Sequence, residues 1–153
     1  MFPRGETFRG GGENVLKGTY EQSVDAKGRM AFPARLREQT GERLVLTRGT
    51  DGCIFVYTEQ AFSDLANKLN GLRMAEKIPL QRAFIASAVD AETDKQGRIL
   101  IPARLRAHAG IEGEAIVAGV DDHCEIWEPS RWEALNSSFT DEALFEALKG
   151  AEF

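Results

Sequence analysis

The chain contains one motif twice. The segment Asp25-Ala-Lys-Gly-Arg-Met-Ala-Phe-Pro-Ala-Arg-Leu-Arg37 stands 69 residues before Asp94-Lys-Gln-Gly-Arg-Ile-Leu-Ile-Pro-Ala-Arg-Leu-Arg106, and eight of the thirteen positions are identical. Gly41 and Gly110 extend the match at the same offset. After a short indel, Leu44-Val-Leu46 corresponds to Ala115-Ile-Val117, and Cys53 to Cys124. A unit of about 45 residues cannot bury a β face alone, so two copies are expected to share one core around a pseudo-two-fold axis. At 153 residues the chain is long enough for that core without metal or disulfide staples.

Each copy reads alike. Residues 19–24 predict a strand that enters a turn at Asp25-Ala-Lys-Gly28, where Asp accepts backbone N–H bonds and Gly supplies a positive φ. Residues 29–32 leave as a second strand, with Met30 and Phe32 on one face and Arg29 on the other. Pro33 is expected at the first helical position, ahead of two turns stopped at Gly41. Residues 44–46 and 53–57 predict two further strands. The second copy repeats this order at 87–92, 94–97, 98–101, 102–108, 115–118 and 124–127. Thr58 predicts the cap of a helix to Asn70, with Gly71 as its C-terminal stop, and Pro129 predicts the first turn of another. A helix over 79–87 is expected between the copies, and Thr140 predicts the cap of a terminal helix carrying Leu144, Phe145 and Leu148.

Charge is distributed unevenly. The chain as a whole is acidic, with a formal charge of −5. This argues against a protein that coats nucleic acid over its whole surface or lies flat on an anionic membrane. Each repeated segment, however, has four basic side chains against one acidic, and the acids gather in residues 139–153. An acidic protein with two symmetry-related basic hairpins suits one quasi-symmetric anion, and duplex DNA is that object: a two-stranded ribbon fits its major groove and Arg pairs with guanine O6 and N7. The two cysteines follow no ligand spacing, so a reducing compartment is expected. His108 and His123 lack a ligand pair, and neither metal nor cofactor is expected. No apolar run long enough for a membrane span and no secretion signal are found, which points to the cytoplasm.

A purely structural reading competes for the same residues: Asp and Gly make the turn, and Arg closes it by pairing with Asp. Asp25, Gly28, Asp94 and Gly97 are assigned to the turns, because a carboxylate facing phosphate would be repelled. The arginines after each proline fit a solvated helical face with phosphate contacts. An enzyme reading starts from Asp25 and Asp94 as a symmetric carboxylate pair sharing a proton. No D-[TS]-G triplet follows either residue, and a cation four positions on favours the ionised form, so no catalytic residue is assigned.

The doubled pattern D-x-x-G-R-[apolar]-x-[apolar]-P-A-x-[apolar]-R resembles the MraZ family of bacterial transcriptional regulators, over about residues 16–148. Each copy is similar to a SpoVT/AbrB-like DNA-binding unit. The resemblance implies an α+β fold: duplicated swapped-hairpin-like SpoVT/AbrB β units with pseudo-two-fold symmetry around one small β core, plus short peripheral helices. It divides the chain into a disordered N-terminal extension at 1–15, a first unit at 16–62, a helical connection at 63–86, a second unit at 87–132 and an acidic helical segment at 133–153. The implied function is a sequence-specific DNA-binding regulator of the cytoplasm and nucleoid. It would repress the cell-division and cell-wall operon that contains its own gene. Its partners would be double-stranded promoter DNA with repeated elements, bound through basic β-hairpin loops, and further copies of itself in a ring.

Carried over residue by residue, DNA reading falls on Lys27 and Arg29 in the first loop and on Lys95 and Arg98 in the second. Lys17, Arg35, Arg37, Arg104 and Arg106 are candidates for phosphate contact. The second loop has its lysine one position earlier, ahead of Gln96, so the two loops are not expected to touch DNA identically. The alternative is an antitoxin-like, protein-binding autoregulator built on the same unit. Such modules usually carry one unit and a disordered tail, whereas this tail reads as helical.

Overall fold

The structure is a computed structural model and describes residues 15–152. The extension expected at the N-terminus lies outside the described residues except for Val15. Eight strands and six helices follow in order: β1 Leu16–Ser23, β2 Arg29–Ala31, α1 Ala34–Thr40, β3 Arg43–Arg48, β4 Ile54–Thr58, α2 Glu59–Asn70, α3 Met74–Leu80, β5 Val89–Glu92, β6 Arg98–Leu100, α4 Ala103–Ala109, β7 Glu114–Asp121, β8 His123–Trp127, α5 Pro129–Ser138 and α6 Asp141–Gly150. The fold is α+β, with a six-stranded sheet and a separate two-stranded ribbon.

The large sheet runs β1-β7-β8-β4-β3-β5, and the ribbon is β2-β6. Replacing each strand by its counterpart in the other copy turns the order of the sheet into its own reverse. Pairing between copies therefore dominates. β1 lies antiparallel to β7 along its whole length, from Leu16 opposite Asp121 to Ser23 opposite Glu114. At the centre β4 meets β8, with Ile54 opposite Ile126 and Val56 opposite Cys124. Within the first copy, Val24, just after β1, makes an isolated antiparallel bridge with Met30 of β2.

One core fills the space beneath the ribbon and the turn helices. Met30, Phe32, Leu36, Ile99, Ile101 and Leu105, equivalent residues of the two copies, are buried together with Leu46, Val56, Val117 and Ile126. Central strands are buried on both faces, since Cys53, Ile116 and Trp127 form a second cluster with Phe55 and Trp132. That is why Leu44–Thr47 and Ala115–Ala118 are buried without alternation. Burial pushes the Cys124 thiol up to about 12 and raises Cys53 as well, so both behave as small apolar groups.

Some local expectations are corrected. Pro33 caps α1 instead of opening it, with φ −54° and ψ 131°, because the strand backbone persists through the proline. Gly71 stops α2 as expected, at φ −81°. The helix expected over 79–87 begins earlier, at Met74, and has Pro79 inside it. A π turn over Gln81–Ile85 follows, closed by Ala86 N donating to Gln81 O at 3.1 Å. Thr47, wholly buried, donates from Oγ1 to the Phe84 carbonyl at 2.6 Å and meets Ser87 Oγ at 2.9 Å, which anchors that turn to β3. Thr58, Thr140 and Pro129 occupy the capping and first-turn positions expected of them.

A polar cluster stands at the β7–β8 hairpin. His123 Nδ1 lies 2.8 Å from Asp122 Oδ1 and Nε2 lies 3.0 Å from Glu125 Oε2, while Trp127 Nε1 donates to Glu125 Oε1 at 2.9 Å. The ring sits edge-on to Phe55 at 4.7 Å and stacks on Tyr57 at 5.4 Å. Burial disfavours the charged ring, but the hydrogen bonds to Glu125 and Asp122 outweigh it and hold His123 above its ordinary 6.5. A raised folded pKa gives stability that is complete below 6.5 and lost as pH rises through the folded value. The melting temperature is therefore expected to fall as pH climbs above 6.5, and His123→Gln to flatten that limb in thermal melts across the range. An unchanged limb in the variant would assign it to other groups.

Candidate nucleic-acid interface

The two repeated turns are built by the same bonds. In the first, Gly28 N donates to Asp25 O at 2.9 Å and Asp25 N to Arg29 O at 3.0 Å, with Gly28 at φ +92°. Asp25 Oδ1 accepts from the backbone N–H of Lys27 at 3.0 Å and of Arg29 at 2.9 Å. In the second, Gly97 at φ +77° donates to Asp94 O at 2.9 Å, and Asp94 Oδ1 accepts from Gln96 N at 2.8 Å and Arg98 N at 2.9 Å. Only glycine adopts those backbone angles without strain.

Each turn is then closed by its arginine. Arg29 Nε donates to Asp25 Oδ2 at 2.8 Å, and Arg98 Nε to Asp94 Oδ2 at 3.0 Å. The backbone N–H of Arg29 and that of Arg98 do most to hold Asp25 and Asp94 below the usual carboxylate range, against burial and with help from the guanidinium pairs. Depressed folded pKa values mean the clasps persist at neutral pH and open only in acid, as pH falls through those lowered values. Both arginine side chains remain partly exposed, at 39% and 33%. Among the described residues, the clasp engages Nε alone, and the Nη1 and Nη2 edge of each guanidinium makes no hydrogen bond.

The turns are locked onto the opposite copy. Phe32 N donates to Gly97 O at 2.9 Å and Ile101 N to Gly28 O at 2.8 Å. Arg37 Nη1 donates to Phe32 O at 2.6 Å and covers Gly97, while Arg106 Nε donates to Ile101 O at 2.9 Å and covers Gly28. A Cβ at Gly28 would come within 2.7 Å of the Ile101 carbonyl oxygen and of Arg106 Nε. The ribbon puts Arg29 opposite Leu100 and Ala31 opposite Arg98, over the buried pair Met30 and Ile99. One outward surface thus holds two clasped arginines, with the exposed Lys27 and Lys95 at the turns.

The remaining basic residues are placed differently. Arg104 donates from Nη2 to Ser87 O at 3.0 Å, so Arg37, Arg104 and Arg106 all engage main-chain carbonyls. Arg35 is exposed at the start of α1. Lys17 stands near the start of β1, seven extended residues before Val24 and so roughly 23 Å from the turn. The Arg131 contacts escaped sequence reading. From α5 its Nη1 reaches Gly52 O and His108 O, both at 3.3 Å, and its guanidinium covers Gly110. Only the small residues opposite it, far away in sequence, could have signalled that role.

Comparison with known proteins places this geometry in context. Residues 15–81 and 84–151 each match the family model described as "MraZ protein, putative antitoxin-like". A protein of Thermoanaerobacter sp. named transcriptional regulator MraZ is 46% identical over 126 residues, covering 81% of this chain and 88% of that one. One of Ligilactobacillus salivarius with the same name is 45% identical over 131 residues, or 84% and 89% of the two chains. Another, of Acetivibrio thermocellus, is 44% identical over 122 residues, or 78% and 85%. No helix among the described residues is long and apolar enough to cross a membrane.

Proposed function

The chain belongs to the MraZ family of transcriptional regulators, and we propose that it reads promoter DNA with the β2–β6 ribbon and its two clasped turns. A transcriptional regulator of this family is not an enzyme, and the chemistry to be explained is recognition. The single observation that carries the reading is the pair of arginines. Each is fixed in direction by an Nε bond to its own turn, while its Nη edge matches the acceptor pair of guanine. Fixing a long side chain in advance lowers the entropy lost on binding. Lys27 and Lys95 would contact phosphate beside the bases read by Arg29 and Arg98, with Arg35 as a further phosphate contact. Arg37 and Arg106 would act mainly by holding the turns, Arg104 by holding the segment before β5, and Lys17 stands too far from the turns to share their groove.

In this reading the two SpoVT/AbrB-like units, 16–62 and 87–132, form a swapped-hairpin-like arrangement about a pseudo-two-fold axis. The helical connection at 63–86 and the acidic segment at 133–153 lie outside it. The mirrored strand order and the ribbon shared between copies support that description. Copies would associate into a ring at the nucleoid and repress an operon of cell division and cell-wall synthesis that includes the gene for this protein. A protein-binding autoregulator is the second reading. The antitoxin-like description of the family and the exposed Leu144, Phe145 and Leu148 of α6 favour it as an added role.

Attraction confined to a small basic rim on an acidic protein should make one contact weak and several in a row strong. Duplexes selected by the protein from a random-sequence library, with one or several copies of the enriched element, test this at fixed salt. Affinity rising at least about tenfold with element number is expected. Equal affinity for single and repeated elements would contradict it.

A further inference from the structure

The outward face of the ribbon is not symmetric. Its four outward positions are Arg29, Ala31, Arg98 and Leu100, in register as Arg29 opposite Leu100 and Ala31 opposite Arg98. The arginines are equivalent in the two copies, but Leu100 takes the place equivalent to Ala31. Leu100 is 55% exposed, whereas its neighbours Ile99 and Ile101 are fully buried. Directly opposed residues of an antiparallel pair have Cβ atoms about 4.5–5.5 Å apart, so Leu100 stands beside the Arg29 side chain. A large apolar side chain there adds nothing to phosphate attraction. In the major groove, the apolar feature that it would meet is the C5 methyl of thymine.

We propose that Leu100 is a specificity-determining residue that packs on a thymine methyl next to the guanine read by Arg29. The inference rests on the ribbon being the DNA-reading element. The Arg98–Ala31 pair, with a single methyl in place of the isobutyl group, reaches less far and leaves the equivalent base pair unread. The two halves of a bound element should then differ, with guanine in both but thymine demanded in one.

The test uses the duplex that the full chain selects from a random-sequence library, with each thymine replaced in turn by deoxyuridine, which lacks only the methyl. The intact protein is expected to lose about fourfold in affinity at one thymine adjacent to a guanine, the equivalent of one buried methyl group. Leu100→Ala should bind the unmodified duplex more weakly by about the same factor and be indifferent to that replacement. Ala31→Leu should gain a sensitive thymine in the other half. Because Leu100 is exposed, the Leu100→Ala melting temperature and assembly size should match the parent. The inference is overturned if no thymine is sensitive, if Leu100→Ala retains the parent's loss at that thymine, or if the variant changes assembly size. Should the library enrich no sequence at all, the DNA-reading proposal itself fails, an outcome distinct from specific binding without thymine sensitivity.

Discussion

Arg29→Ala is expected to lose sequence discrimination by about 1–3 kcal/mol for each ribbon engaged, compounded across an assembly that binds several elements. Folding and assembly size should survive. The side chain is partly exposed, and Asp25 keeps both backbone N–H donors when the guanidinium is gone. Lys27→Ala should act differently, weakening cognate and scrambled duplexes about equally and flattening the salt dependence, as loss of a phosphate contact does. The competing structural reading makes the opposite forecast for Arg29. If the ion pair with Asp25 were its whole purpose, the variant would melt much lower and keep its preference for the cognate duplex. Exposed ion pairs contribute little to stability, which already weighs against that outcome. Thermal melts alongside binding to cognate and scrambled duplexes separate the two.

Phe32→Ala is expected to remove about 3–5 kcal/mol of stability, since the side chain is fully buried in the shared core. The location of the effect is more telling than its size. Phe32 belongs to the first copy, whereas both tryptophans, Trp127 and Trp132, belong to the second. Three of the five pairings in the sheet, and the ribbon, join one copy to the other, so the halves should melt as one unit. Tryptophan fluorescence and far-ultraviolet circular dichroism should therefore shift together in Phe32→Ala under denaturant titration. A tryptophan transition left in place while circular dichroism moves would mean that the copies fold separately.

Each turn and the strand that follows it were legible in the sequence because they are local, whereas the pairing of β2 with β6 joins the two copies. The period of two puts Met30, Phe32, Ile99 and Ile101 inside, and the Asp-x-x-Gly spacing defines the turns, as the structure has them. The sheet order was not legible, because every pairing that builds it, other than β3 with β4 and β7 with β8, joins residues distant in the chain. Leu44–Thr47 and Ala115–Ala118 gave no facing pattern, since they are covered on both sides. Arg37 and Arg106 read as a solvated helical face. Each bonds a carbonyl five residues back in its own copy, but the glycine that its guanidinium covers belongs to the opposite copy, and no spacing along the chain encodes that approach. The Asp122–His123–Glu125 cluster was missed for a related reason. It resembled no ligand motif, and the aromatic wall that half-buries it comes from β4.

The account turns on the ribbon and its turns touching DNA. Amide hydrogen exchange of the full chain, free and bound to its selected duplex, reads this directly. Binding is predicted to slow exchange across 25–32 and 94–101, most at the turn amides of Ala26 and Lys95, and to leave the acidic α6 unchanged. Slowed exchange in α6 or α3 with both turns unaffected would contradict it.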